Sequence, residues 1–148
     1  MLHVIAKHRN VCSHIHLPVQ SGSNRILKLM NRQHTREEYM ALIDKIKQII
    51  PDIEITQDMI ACFPTETEQD HQDTLSLMEY VQYNFGYMYA YSERPGTLAA
   101  RKMEDDVTDE DKSRRLQEIV DLQGKHSTIR TRHYVGKTVE VLVEKTSK

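Results

Sequence analysis

The chain has 148 residues, 39% hydrophobic and 28% charged, with a formal net charge of −2. A chain of this length can form one ordinary domain burying about two thirds of its unfolded surface. The charge balance excludes a global field favouring nucleic acid or anionic membrane, so any basic surface is local. No apolar run approaches the roughly 20 residues of a membrane span, and the start lacks a signal-peptide layout, so a cytoplasmic location is expected. The two cysteines, Cys12 and Cys62, are far apart and lack CxxC spacing. That argues against a disulfide framework and against a self-contained cysteine-ligated cluster.

In chain order, Leu2, Val4 and Ile5 read as the end of a helix. Ile15, Leu17 and Val19 then alternate with Cys12, His14, His16, Pro18 and Gln20, a period of two that predicts a strand with one apolar and one polar face. Cys12, His14 and His16 share that polar face. Such a row could bind zinc or copper if a further ligand came from elsewhere; the alternative is a polar interior of hydrogen-bonded histidines. The strand ends in Gln20-Ser21-Gly22-Ser23, where small residues would let backbone donors approach a ligand, although a plain turn has the same composition.

Thr35 and Glu38 form a capping box, and Tyr39, Leu42, Ile43, Ile46, Ile49 and Ile50 follow as a helical stripe that Pro51 stops. A second strand is predicted over Ile53 to Phe63. It leads through Pro64-Thr65-Glu66-Thr67 into a helix marked by Leu75, Met78 and Val81 and reaching about Asn84, with Gly86 as its punctuation. The Thr67 turn could seat an anion at the helix start, or Thr67 simply caps the helix, with Glu68 and Asp70 supporting its dipole. A third strand is predicted over Tyr87 to Ser92, with Tyr87, Tyr89 and Tyr91 read as strand core rather than as a stacking platform. It runs into Ser92-Glu93-Arg94-Pro95-Gly96-Thr97, where Arg94 could clamp a carboxylate or phosphate or belong to an exposed turn. A third helix begins near Thr108 behind Asp109, Glu110 and Asp111.

Alternating strands and helices predict an α/β fold with a parallel sheet and right-handed crossovers. All three polar turns then lie at the carboxyl edge, where ligands of such sheets bind. Lys125, His126, Arg130, Arg132, His133 and Lys137 form a local basic stretch that could meet phosphates or finish a solvated helix end. From His133 to Lys148, Val139, Val141 and Val143 alternate with Glu140 and Glu144, predicting a half-buried strand that opens another module.

"HIHLPVQSGSNRILKLMNRQHTREEY", "ITQDMIACFPTETEQD" and "YSERPGTLAA" resemble, in order and spacing, the radical S-adenosylmethionine methylthiotransferases, most closely the branch acting on dimethylallyl-adenosine in tRNA. The resemblance implies a cytoplasmic tRNA-modifying enzyme. Residues 1–132 would be the carboxyl-terminal half of its radical S-adenosylmethionine (βα) barrel, and residues 133–148 the start of a small β (TRAM) domain that contacts RNA. It implies S-adenosylmethionine bound beside a four-iron four-sulfur cluster, hydrogen abstraction from the adenine ring, and addition of sulfur and methyl. By the same resemblance Gln20, Ser21, Ala61, Ser92 and Arg94 border the cofactor site, and Lys125, Arg130, Arg132 and Lys137 meet tRNA. The electron donor and sulfur donor are left open. The family's CxxxCxxC cluster motif is not in these residues, so this stretch alone is expected to be inactive. Where the family usually has glycines in the phenylalanine-centred turn, Cys62 and Thr65 stand. Sister branches that modify threonylcarbamoyl-adenosine in tRNA or a ribosomal protein share these motifs, and a non-catalytic RNA-binding remnant is the alternative from another class.

Overall fold

The computed structural model describes residues 1–141 and 143. Three parallel strands, β1 (His14–His16), β2 (Glu54–Ala61) and β3 (Phe85–Ala90), form a sheet in the order β1-β2-β3. Six helices accompany them: α1 (Leu2–Lys7), α2 (Asn24–Leu29), α3 (Arg36–Ile49), α4 (Glu68–Val81), α5 (Leu98–Lys102) and α6 (Asp109–Arg132). Among the described residues no helix is long and apolar enough to cross a membrane.

The expected α/β architecture with a parallel sheet is present. Along β2, burial alternates residue by residue: Ile55, Gln57, Met59 and Ala61 point into the core, while Glu54, Thr56, Asp58 and Ile60 point to the other face. The covered face packs against the stripes Tyr39, Ile43 and Ile46 of α3, Leu77, Met78 and Val81 of α4, and Ile119 of α6. Each such side chain contributes about 1.5–3 kcal/mol by leaving water.

The Thr35 box forms in both directions, with Thr35 accepting from the Glu38 amide and Glu38 from the Thr35 amide. Leu42, assigned to the apolar stripe of α3, is 41% exposed because it sits at the edge of that stripe. Two short helices, α2 and α5, lie in stretches read only as turns. Ser23 caps α2 and Thr97 caps α5, and six or five residues are too few to show a helical period.

β3 lies two residues earlier than Tyr87–Ser92, and Gly86 is inside it rather than ahead of it. A Cβ on Gly86 would fall 2.2 Å from Nε2 of Gln57, so glycine here makes room for a buried side chain of the neighbouring strand. The predicted core role of the tyrosines is corrected as well. Tyr87 and Tyr89 are 55% and 54% exposed, because their phase of β3 faces away from the helices, on the side shared with Thr56, Asp58 and Ile60. α4 ends at Val81 rather than near Asn84, since Gln82 turns left-handed at φ 54°.

Of the strand expected over His133 to Lys148, residues 142 and 144–148 lie outside the described residues. The segment 137–141 has no strand assignment, as a strand requires a neighbour to pair with.

Candidate functional site

The carboxyl ends of the three strands converge on an open cleft of about 440 Å³. Gln20, Asp58, Tyr89, Ser92 and Arg94 supply its polar groups, and Ile60, Phe63 and Tyr91 its apolar wall. Phe63 and Tyr91 meet edge to face with centroids 5.3 Å apart, a geometry that fixes both rings. Gln20 reaches the rim through a left-handed backbone at φ 75°. Its amide donates to Asp58 O at 3.0 Å and its carbonyl accepts from the Ile60 amide at 2.9 Å, so it stays tied to β2 after β1 has ended.

Of the five residues expected at the cofactor site, Gln20, Ser92 and Arg94 line this cleft. Ser21 and Ala61 are 0% and 1% exposed and present no surface to it. Ala61 faces the helices. Ser21 sits under the turn, with its hydroxyl 3.4 Å from Thr74 Oγ1 and accepting from the Ser23 amide.

The small residues of that turn have a packing explanation. A Cβ on Gly22 would lie 2.5 Å from both Asp73 O and Thr74 Cα, and the Gly22 amide already donates to Thr74 Oγ1 at 2.9 Å. Glycine here lets the turn lie against α4, and the backbone donor is consumed by α4 instead of being offered to a ligand.

Asp70 joins the first two turns. It accepts from Ser23 Oγ at 2.5 Å, from the Thr67 amide at 2.8 Å, from Thr67 Oγ1 at 2.6 Å and from Arg25 Nη2 at 2.5 Å. Arg25 also donates to Thr65 O and Thr65 Oγ1. Burial opposes the charge on Asp70, but the hydrogen bonds from Arg25, Ser23 and Thr67 outweigh it and hold its carboxyl well below the usual range. Thr67 therefore caps α4 in a reciprocal box with Asp70, and the Thr67 and Asp70 amides at this helix start are occupied by protein.

A second buried pair clamps the same turn to α6. Arg115 Nη1 donates to Glu66 O at 2.9 Å and to Glu66 Oε1 at 3.2 Å, while the Cys62 amide donates to Glu66 Oε1 at 2.9 Å. Burial raises the Glu66 carboxyl despite these donors. Cys62 and Thr65 both hold positive φ, 61° and 69°, a region that costs a side chain about 1–2 kcal/mol.

No group of three or more His, Cys, Asp or Glu is arranged to hold a metal ion among the described residues. Cys12 is exposed. The buried Cys62 thiol is pushed up to about 12, by burial first and Glu66 second, so it is no thiolate at neutral pH. His14 and His16, instead of ligating, both hydrogen bond Thr56 Oγ1 at 3.0 Å, and His16 lies 3.6 Å from Asp58.

The basic residues occupy the other end of the molecule. α6, 24 residues long, runs roughly 36 Å at 1.5 Å per residue. It begins at the Glu66 turn and ends beside the amino ends of the strands, where Arg130 Nε donates to Gln82 O and Tyr134 to Glu54. Arg130, His133 and Tyr134 line a separate recess there with Asp52 and Asn84. Lys125 lines a groove between α4 and α6 with Glu79, Glu118 and Asp121. Arg132 is exposed, and Lys137 Nζ sits 2.7 Å from His133 Nε2.

Sequence reading passed over Asp58 and Tyr89 as cleft residues. The signal for Asp58 was its phase, since it continues the polar face of Glu54 and Thr56. Arg25 and Asp70 gave no joint signal, being far apart in the chain.

Comparison with known proteins finds named relatives and a matching family. Three relatives bear the name tRNA-2-methylthio-N(6)-dimethylallyladenosine synthase. That of Flavobacterium johnsoniae is 77% identical over 148 residues, covering 100% of this chain and 31% of the relative. That of Flavobacterium psychrophilum is 76% identical with the same coverage, and that of Karelsulcia muelleri is 55% identical over 144 residues, 97% of this chain and 32% of the relative. The chain thus spans about a third of the length of the curated relatives it matches. A model of the Radical SAM superfamily matches residues 1–78, more than half of the 148, and the chain belongs to that superfamily.

Proposed function

We propose that this chain is part of an enzyme that adds a methylthio group to dimethylallyl-adenosine in tRNA by radical S-adenosylmethionine chemistry. The observation that carries the reading is 77% identity, over every residue of the chain, to a protein named for that reaction. Residues 1–132 would form part of the barrel domain, and 133–148 would open the RNA-binding β-domain.

The cleft suits S-adenosylmethionine in size and chemistry. Its volume of about 440 Å³ lies within the range of small-molecule sites, and its wall pairs an aromatic corner for a purine with an amide, a carboxylate, a hydroxyl and a guanidinium. Gln20 and Asp58 would accept from or donate to ribose hydroxyls or an amino group. Arg94 would hold a carboxylate, and Phe63 with Tyr91 would lie against the adenine. When bound, the cofactor supplies the radical chemistry; these side chains orient it, and the apolar wall keeps water from the reacting atoms. The iron-sulfur cluster does not fit the described residues, because Cys12 and Cys62 are separate, one exposed and one buried and protonated. No step is assigned to a cluster ligand in this chain.

The test uses the full-length protein, purified without oxygen and reconstituted with iron and sulfide. Incubated with S-adenosylmethionine, a reductant and tRNA carrying dimethylallyl-adenosine, it is expected to yield the methylthio nucleoside by mass spectrometry, and Gln20→Ala and Arg94→Ala should weaken cofactor binding. A wild-type protein that binds the cofactor yet leaves this nucleoside unmodified would overturn the substrate assignment. Unchanged cofactor affinity in both variants would overturn the site.

A further inference from the structure

Beside the cofactor cleft, and separated from it only by α5, lies a groove of about 570 Å³ between α2 and α5. Ala99 lines both. The groove has an apolar floor in which Leu29 and Leu98 are 38% and 52% exposed. Its rim carries Arg25, Lys28 and Lys102. Arg25 is committed to Asp70 and Thr65. Lys28 and Lys102 are exposed, and neither ammonium group has a hydrogen bond or ion pair to any described residue. Two unpaired ammonium groups thus stand over apolar surface at the edge where substrate must enter.

The basic stretch of α6 cannot serve this edge, because it lies the length of that helix away. A nucleotide whose base enters the Gln20 cleft nevertheless has to lay its neighbouring phosphates against whatever surface borders the cleft. On this chain, one such border is the α2–α5 groove. From this geometry and charge complementarity we infer that Lys28 and Lys102 hold the RNA backbone flanking the target nucleotide, while Leu29 and Leu98 receive the adjacent ribose or base. This rests on the tRNA reading above. Lysine suits the task, since a flexible point charge can follow a phosphate without fixing sequence.

The test compares the full-length protein with its K28A/K102A variant, using an anticodon stem-loop RNA that carries dimethylallyl-adenosine. Both lysines are exposed, so the variant should melt at the wild-type temperature and bind S-adenosylmethionine normally. RNA binding should weaken several-fold, and the slope of log affinity against log salt should fall by about 1.4, at roughly 0.7 per single-strand phosphate. Acetylation of wild-type protein should mark both lysines without RNA and spare them with it.

Unchanged affinity and slope would overturn the inference while leaving the tRNA reading intact. So would lysines blocked from acetylation in the absence of RNA, which would show that polypeptide covers the groove. Failure of the wild type to bind the RNA at all would overturn the tRNA reading itself, and this inference with it.

Discussion

The two ends of the sheet are built differently. At the carboxyl edge, charged and polar side chains are internal and interlocked. Asp70 is 5% exposed, Glu66 and Arg115 are each 6% exposed, and each ties two or more elements together. At the amino edge Gln123 and Asn84 are tied in beneath the surface, but the groups past the end of α6 are exposed and make single contacts, such as Tyr134 to Glu54 and Lys137 to His133. A rim that must hold a small molecule in one pose requires fixed turns, and buried hydrogen bonds provide them. A surface that meets a polyanion requires only mobile charge. On the function proposed above, the difference separates a site of recognition from a surface of attraction.

Removing the interlock should have the largest effect. Asp70→Ala in the full-length protein leaves the buried Ser23 hydroxyl and the Thr67 cap without their shared acceptor, at about 1–3 kcal/mol for each buried group left unsatisfied. Thermal melts and hydrogen exchange at the α2 and α4 starts should register the loss. A variant as stable as wild type would make the two edges equivalent.

pH should separate the two buried carboxylates. The folded pKa of Asp70 is lowered, so its contribution is complete above the ordinary Asp value of about 4 and is lost as pH falls toward the lowered one. The folded pKa of Glu66 is raised, so stability declines as pH rises from the ordinary Glu value through the raised one. Melting temperature against pH should therefore lose its acid limb in Asp70→Asn and lose the opposing slope in Glu66→Gln. Parallel profiles in both variants would refute these assignments.

At the cleft surface, Arg94→Ala and Gln20→Ala should each weaken S-adenosylmethionine by about 10- to 100-fold, the range of a hydrogen bond to a charged group. Melting should barely change for Arg94, which is exposed. Calorimetric titration measures both. A smaller effect is expected at Gln82, which is exposed and left-handed at the end of α4. Gln82→Gly should stabilise by about 1 kcal/mol, whereas Thr65→Gly relieves similar strain but loses the bond to Arg25 Nη1 and should be near neutral. Equal gains at both positions would mean that the Arg25 contact adds nothing.

Much of the scaffold is local and could be read from the chain. The capping boxes at Thr35 and Thr67, the stop at Pro51 and the period of two in β2 depend on residues within a few positions of one another, so short-range hydrogen bonding and pleat geometry determine them. The position of the cleft followed from strand-helix alternation alone, because parallel topology brings all three turns to one edge.

What only the tertiary structure decided involves residues distant in sequence. Gly22 is small because Asp73 and Thr74 press on it, and Gly86 because Gln57 occupies its side-chain space. Tyr87 and Tyr89 of β3 alternate as core residues do, yet they face outward because α3, α4 and α6 pack on the opposite side. Asp70 became the partner of Arg25, and the α2–α5 groove formed, through packing of segments whose pairing carries no periodic signal. Periodicity records which residues share a face; only the packed structure determines what that face meets.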